Sequence, residues 1–123
     1  MAKMRIEGSF VALITPFNVD GTVDFGAFRS LLDWQAANGT AAVLIMGSTG
    51  EVSMLSPEER REIVERTIGF RDGRMKFFYG CTGNSTETTI LYLRHARANG
   101  ADGAILAAPA YIGAAEADIE TFF

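Results

Sequence analysis

The chain has 123 residues, 48% of them hydrophobic, enough for one domain with a buried core and too apolar for a disordered segment. A formal charge of −4, with acids and bases interspersed, argues against a nucleic-acid partner, and no apolar run is long enough to cross a bilayer. The single cysteine cannot form an internal disulfide and the first residues lack the apolar stretch of a secretory signal, so a cytoplasmic protein is expected.

In chain order, Ser9 to Ile14 reads as a strand that stops at Thr15-Pro16. Asp20-Gly21 signals a turn, and a helix follows from about Asp24 with Phe25, Phe28, Leu31, Leu32 and Ala36 on one face. Asn38-Gly39 ends it as a left-handed cap would. The second strand, Ala42 to Met46, has no polar alternation, which predicts cover on both faces as in a parallel sheet. The second helix opens with Ser56 as N-cap, Pro57 in its first turn and Glu59 placed to close a capping box. Its apolar face is Ile63, Val64, Thr67 and Ile68, and Arg71-Asp72-Gly73 closes it. Glu58, Glu59, Arg60, Arg61, Glu62, Glu65 and Arg66 read as a solvated face with pairs such as Glu62–Arg66.

Met75 to Tyr79 is the third strand, leading into Gly80-Cys81-Thr82-Gly83-Asn84. Asn84 and Glu87 are spaced as a capping box for a third helix carrying Ile90, Leu91, Leu93 and Ala96, which Asn99-Gly100 ends. A fourth strand runs from Gly103 to Ala107, then Pro109-Ala110-Tyr111, then a helix from about Ala115 still running at Phe123. Ala37-Asn38-Gly39 is echoed by Ala98-Asn99-Gly100, two strand–helix units later.

Strands thus recur about every 30 residues, each followed by a helix, the length of one βα unit. Residues 1–123 are read as one partial α/β domain of four consecutive βα units. Two architectures fit: the amino-terminal half of a (β/α)₈ TIM barrel, or a small doubly wound parallel sheet. A doubly wound nucleotide binder would carry a glycine fingerprint after strand one, where this chain has Thr15-Pro16-Phe17, so the barrel is preferred.

The loop Gly47-Ser48-Thr49-Gly50-Glu51 is the candidate site. Ligands of parallel α/β proteins sit beyond the carboxyl ends of the strands. Glycines let a backbone approach a bound group, and free loop N–H groups with two hydroxyls can hold a carboxylate or phosphate. A plain strand-to-helix turn is the alternative. Glu51 is expected to brace the loop through backbone N–H groups. Cys81 reads as a small packed residue and His95 as a surface residue. No His, Cys or carboxylate cluster has metal-ligand spacing, and no cofactor is expected.

With these motifs in order, the chain resembles the amino-terminal half of the dihydrodipicolinate synthase / N-acetylneuraminate lyase family of pyruvate-dependent class I aldolases. The resemblance spans essentially all 123 residues. It is carried by Gly47-Ser48-Thr49-Gly50-Glu51, Thr15-Pro16-Phe17, Leu55-Ser56-Pro57-Glu58-Glu59-Arg60, Gly80-Cys81-Thr82-Gly83-Asn84 and Pro109-Ala110-Tyr111. It implies an enzyme of cytoplasmic lysine biosynthesis that joins pyruvate to aspartate 4-semialdehyde through a Schiff base. N-acetylneuraminate lyase and 2-keto-3-deoxy sugar acid aldolases or dehydratases are the alternatives. By resemblance, Gly47, Ser48 and Thr49 hold the pyruvate carboxylate, Thr49 joins a hydroxyl relay, and Tyr111 reaches a neighbouring subunit's relay. A homo-oligomer, dimer or tetramer, follows, with pyruvate and a small aldehyde as the other partners. The family's Schiff-base lysine, on a sixth strand, is expected beyond Phe123, and the chain alone is expected to be inactive. Lys3 and Lys76 are the only lysines, in the leader and early in strand three. A half barrel would also have free edges at strands one and four, so a non-catalytic, self-associating half barrel that binds small carboxylates is the reading from another class.

Overall fold

The computed structural model describes residues 4–110 and 112–123. Four parallel strands, β1 (Phe10–Ala12), β2 (Ala42–Ile45), β3 (Lys76–Gly80) and β4 (Gly103–Ile105), pair in their chain order. Helices α1 (Phe25–Ala37), α2 (Pro57–Ile68), α3 (Thr86–Ala98) and α4 (Glu116–Phe122) alternate with them. A doubly wound sheet reverses its strand order at a switch point. This sheet has none, and the architecture is half of a (β/α)₈ barrel.

The register sorts the side chains onto two faces. Val43 and Ile45 share a face with Phe77 and Tyr79, and these pack with Phe25, Phe28 and Leu32 of α1, Ile63 and Val64 of α2 and Ala96 of α3. This is the core. The other face carries Phe10, Leu44 and Phe78. The Phe10 and Phe78 rings lie 5.6 Å apart, and Phe78 packs where a Gly103 side chain would otherwise stand. Phe10 and Ile105, toward the two edges, are each 41% exposed. No helix is long and apolar enough to cross a membrane among the described residues.

Local chemistry sets the helix ends. Ser56 accepts from the Glu59 N–H and the Glu59 carboxylate accepts from the Ser56 N–H, closing the capping box with Pro57 in the first turn. Glu62 and Arg66 pair at 3.1 Å. The two Asn-Gly echoes adopt one geometry. Gly39 N–H donates to Ala36 and Thr40 N–H to Gln35; Gly100 N–H donates to Arg97 and Ala101 N–H to Ala96. Both are Schellman caps with the glycine at positive φ, 81° and 88°.

Four expectations need correcting. Ser85, not Asn84, caps α3, because the Ser85 hydroxyl accepts from Thr88 N–H while Gly83 N–H is held by the Thr89 hydroxyl. That bond draws Thr89 inward, so α3 buries Thr89 and Ala96 and leaves Ile90 and Leu91 exposed. Helix α2 ends at Ile68 with Gly69 as its cap, before Arg71-Asp72-Gly73. His95 is half-buried, its Nε2 3.4 Å from the Arg61 carbonyl oxygen and from Glu65 of α2.

Because an L side chain at a left-handed position costs about 1–2 kcal/mol, Gly39→Ala and Gly100→Ala should each lower stability by that amount, to be read from urea unfolding. The two caps share no partner, so the double variant should show the sum.

Candidate active site

Strand β2 leaves the sheet abruptly. Met46 has φ 61° and Glu51 φ 56°, the two non-glycine residues with positive φ among those described, and they bracket Gly47-Ser48-Thr49-Gly50. Strain of this kind survives only where the surroundings enforce it. Here the enforcement is visible. Gly80 lies so close to the Met46 carbonyl that a Cβ on it would overlap that oxygen. On the other side, the buried Thr15 hydroxyl donates to the Gly50 carbonyl at 2.6 Å, tying the end of β1 to the same turn.

Within the turn, Gly50 N–H donates to Gly47 and Glu51 N–H to Ser48, both at 3.0 Å. The N–H groups of Ser48 and Thr49 meet no acceptor among the described residues, and both side chains are exposed. Two exposed side-chain hydroxyls and two N–H donors without an acceptor among the described residues are therefore grouped just beyond the carboxyl end of β2. Such a cluster can bind an anion by charge-assisted hydrogen bonds. The Glu51 carboxylate caps nothing, so the expected brace is corrected: Glu51 contributes its backbone N–H and its left-handed φ.

The next loop is organised by a residue misread from sequence. Arg60 is not on the solvated face; it is 8% exposed and lies under the β3–α3 loop. Its Nη2 donates to the Gly80 carbonyl at 3.3 Å and to the Thr82 carbonyl at 2.9 Å. Its guanidinium carbon stands 3.7 Å from the centroid of the Tyr92 ring. Its Nε–H has no partner among the described residues. Burial lowers the Arg60 pKa, opposed by Tyr92 and Cys81. The signal was in the spacing, since position 60 precedes the buried Ile63, Val64 and Thr67 at helical intervals. Thr15 was also missed; its one clue was its place at the end of strand one. The Thr82 hydroxyl accepts from Ala107 N–H at 2.8 Å, joining the loop after β4 to the same cluster.

Lys76 begins β3, at the opposite end of the sheet from the Gly47 turn, and its Nζ is 3.4 Å from the Arg5 carbonyl oxygen. Lys3 and Tyr111 lie outside the described residues. Among the described residues no group of three or more His, Cys, Asp or Glu could hold a metal ion.

Against known proteins, the model of the Dihydrodipicolinate synthetase family matches residues 5–123. The 4-hydroxy-tetrahydrodipicolinate synthase of Gluconacetobacter diazotrophicus is 41% identical over 111 residues, covering 90% of this chain and 37% of its own. Among solved structures, dihydrodipicolinate synthase from Aquifex aeolicus aligns with a TM-score of 0.91 at 37% identity, over 95% of this chain and 40% of that one. The chloride-inhibited dihydrodipicolinate synthase from Acinetobacter baumannii, complexed with pyruvate, gives 0.91 at 33% identity, over 96% and 40%. The chain thus spans about two fifths of the length of these relatives.

Cys81 is buried and its thiol is pushed up by that burial from 9.0 to about 11, against a smaller opposing effect of Arg60. Tyr79 is raised too, burial outweighing its bond to Thr67. Both groups keep their protons longer in the folded than in the unfolded chain. These two groups should therefore leave stability unchanged between about pH 7 and 8 and lower it as pH rises through about 9 toward about 11, as the unfolded thiol and phenol ionise first. Urea midpoints across pH 8–11 check this, and Cys81→Ala should reduce the slope.

Proposed function

Because the chain belongs to the dihydrodipicolinate synthetase family, we propose that it supplies the carboxylate-binding part of a synthase that joins pyruvate to aspartate 4-semialdehyde. One observation carries this reading: a strained turn at the carboxyl end of β2 exposes the Ser48 and Thr49 hydroxyls beside their unpartnered N–H groups. A relative with the same fold is described in complex with pyruvate.

In this reading the pyruvate carboxylate accepts from Ser48 and Thr49, with Gly47 giving the backbone room to approach. Held at one end, pyruvate presents its carbonyl carbon above the mouth of the barrel for imine formation. The fixed orientation lowers the entropic part of the barrier. Thr49, with a hydroxyl that both donates and accepts, passes a proton between the reacting centre and a second hydroxyl, which we assign to Tyr111 reaching in from a neighbouring subunit. The nucleophile is a lysine at the mouth. Lys76, at the far end of the sheet, does not fill that role. Residues 1–123 then act as part of a single barrel domain in a cytoplasmic, oligomeric enzyme.

The test joins residues 1–123 to the carboxyl-terminal segment of the Aquifex aeolicus relative and measures turnover of pyruvate with aspartate 4-semialdehyde. The hybrid should be active, and a Ser48→Ala/Thr49→Val double variant should lose about 100-fold in kcat/KM, since two hydrogen bonds to a charged group are removed. A folded hybrid that ignores aspartate 4-semialdehyde, or a double variant with unchanged kcat/KM, overturns the reading.

A further inference from the structure

Arg60 is a charge taken out of water without a carboxylate partner among the described residues. Burying a guanidinium is costly unless its donors are used, and one of them, Nε–H, finds no acceptor among the described residues. The proposed binding chemistry does not call on it either. What it does contact is specific. A single Nη2 gathers the carbonyls of Gly80 and Thr82, which flank Cys81, while the guanidinium packs against the Tyr92 ring of α3.

Those carbonyls belong to the segment that sets the start of the Gly47 turn. Gly80 lies beside the Met46 carbonyl with no room for a Cβ between them, and Met46 is the left-handed residue at which the chain leaves β2. A shift of Gly80 would change the space around the Met46 carbonyl, and with it the backbone setting in which Met46 is left-handed. The Ser48 and Thr49 donors, two and three residues on, would move with it. Thr82, held by the same guanidinium, fixes the Ala107 N–H through its hydroxyl. One buried cation on α2 thus connects the ends of β2, β3 and β4.

We propose that Arg60 is a positioning residue for the Ser48–Thr49 anion site, acting through the Gly80 and Thr82 carbonyls. The ligand side of this rests on the carboxylate reading above; the positional side does not. Lysine should not substitute: an ammonium could bond both carbonyls as Nη2 does, but it lacks the planar guanidinium that packs on the Tyr92 ring and so is not held at the same place.

The test records amide NMR spectra of the hybrid barrel described above, with and without pyruvate, carrying residues 1–123 as wild type, Arg60→Met, Arg60→Lys and Gly100→Ala. Gly100→Ala is the stability control, since it strains a cap at the opposite end of the sheet. In both Arg60 variants the Gly47, Ser48, Thr49 and Ala107 amides should shift, and pyruvate affinity should fall about tenfold or more. Gly100→Ala should leave these amides and the affinity unchanged. Arg60 variants whose four amides coincide with wild type overturn the proposal, as does a control that moves them equally. If Arg60→Met does not fold, Arg60→Lys decides by the same criteria. If wild type fails to bind pyruvate, the carboxylate reading falls, and the amide shifts alone judge Arg60.

Discussion

The contact between Gly80 and the Met46 carbonyl is the constraint on which the mouth of this half barrel depends. Backbone meets backbone there, and no side chain can be placed between them. With β3 fixed at that distance, the chain leaving β2 must turn, and it does so at a methionine in a left-handed conformation. Such a conformation costs about 1–2 kcal/mol at a residue with a side chain. The core offsets this: Met46 is itself buried, and Ile45 and Tyr79 beside it are fully enclosed. The strain is thus held by packing on one side and by the Thr15 bond to Gly50 on the other.

From that constraint the site follows as geometry. A turn closed by its own hydrogen bonds, Gly50 to Gly47 and Glu51 to Ser48, has spent those donors internally. The N–H groups of Ser48 and Thr49 are left without an acceptor among the described residues. The result is a small, stiff group of hydroxyls and N–H groups whose position is set by the sheet and not by the loop. Rigid placement of this kind is what a binding site for a small anion requires, because little order remains to be imposed on binding.

Much of the fold was legible because its determinants are local. The Ser56-Pro57-Glu58-Glu59 box satisfies itself within four residues, and the Asn-Gly caps need only the helix they end. The barrel order could be preferred over a doubly wound sheet from the missing glycine fingerprint, and the sequential strand order agrees. The turn Gly47–Gly50 was legible as a candidate site by composition, though not its strain, since nothing in a methionine announces a positive φ. Arg60 was misread for a related reason. Its neighbours Glu58, Arg61 and Glu62 are exposed, whereas its partners Gly80 and Thr82 lie 20 and 22 residues on. Asn84 and Ser85 are both good caps, and the bond from Gly83 to Thr89 chose between them.

The sequential pairing of β1 through β4 also bears on how the chain acquires its shape. Within these four strands each new one pairs with the one just before it, so none of the three pairings waits for a distant stretch. A chain emerging residue by residue from a ribosome can add one strand and one helix at a time onto a growing edge. Each new loop, of about 30 residues with its helix, is short to close, which keeps the entropic toll of every addition nearly equal.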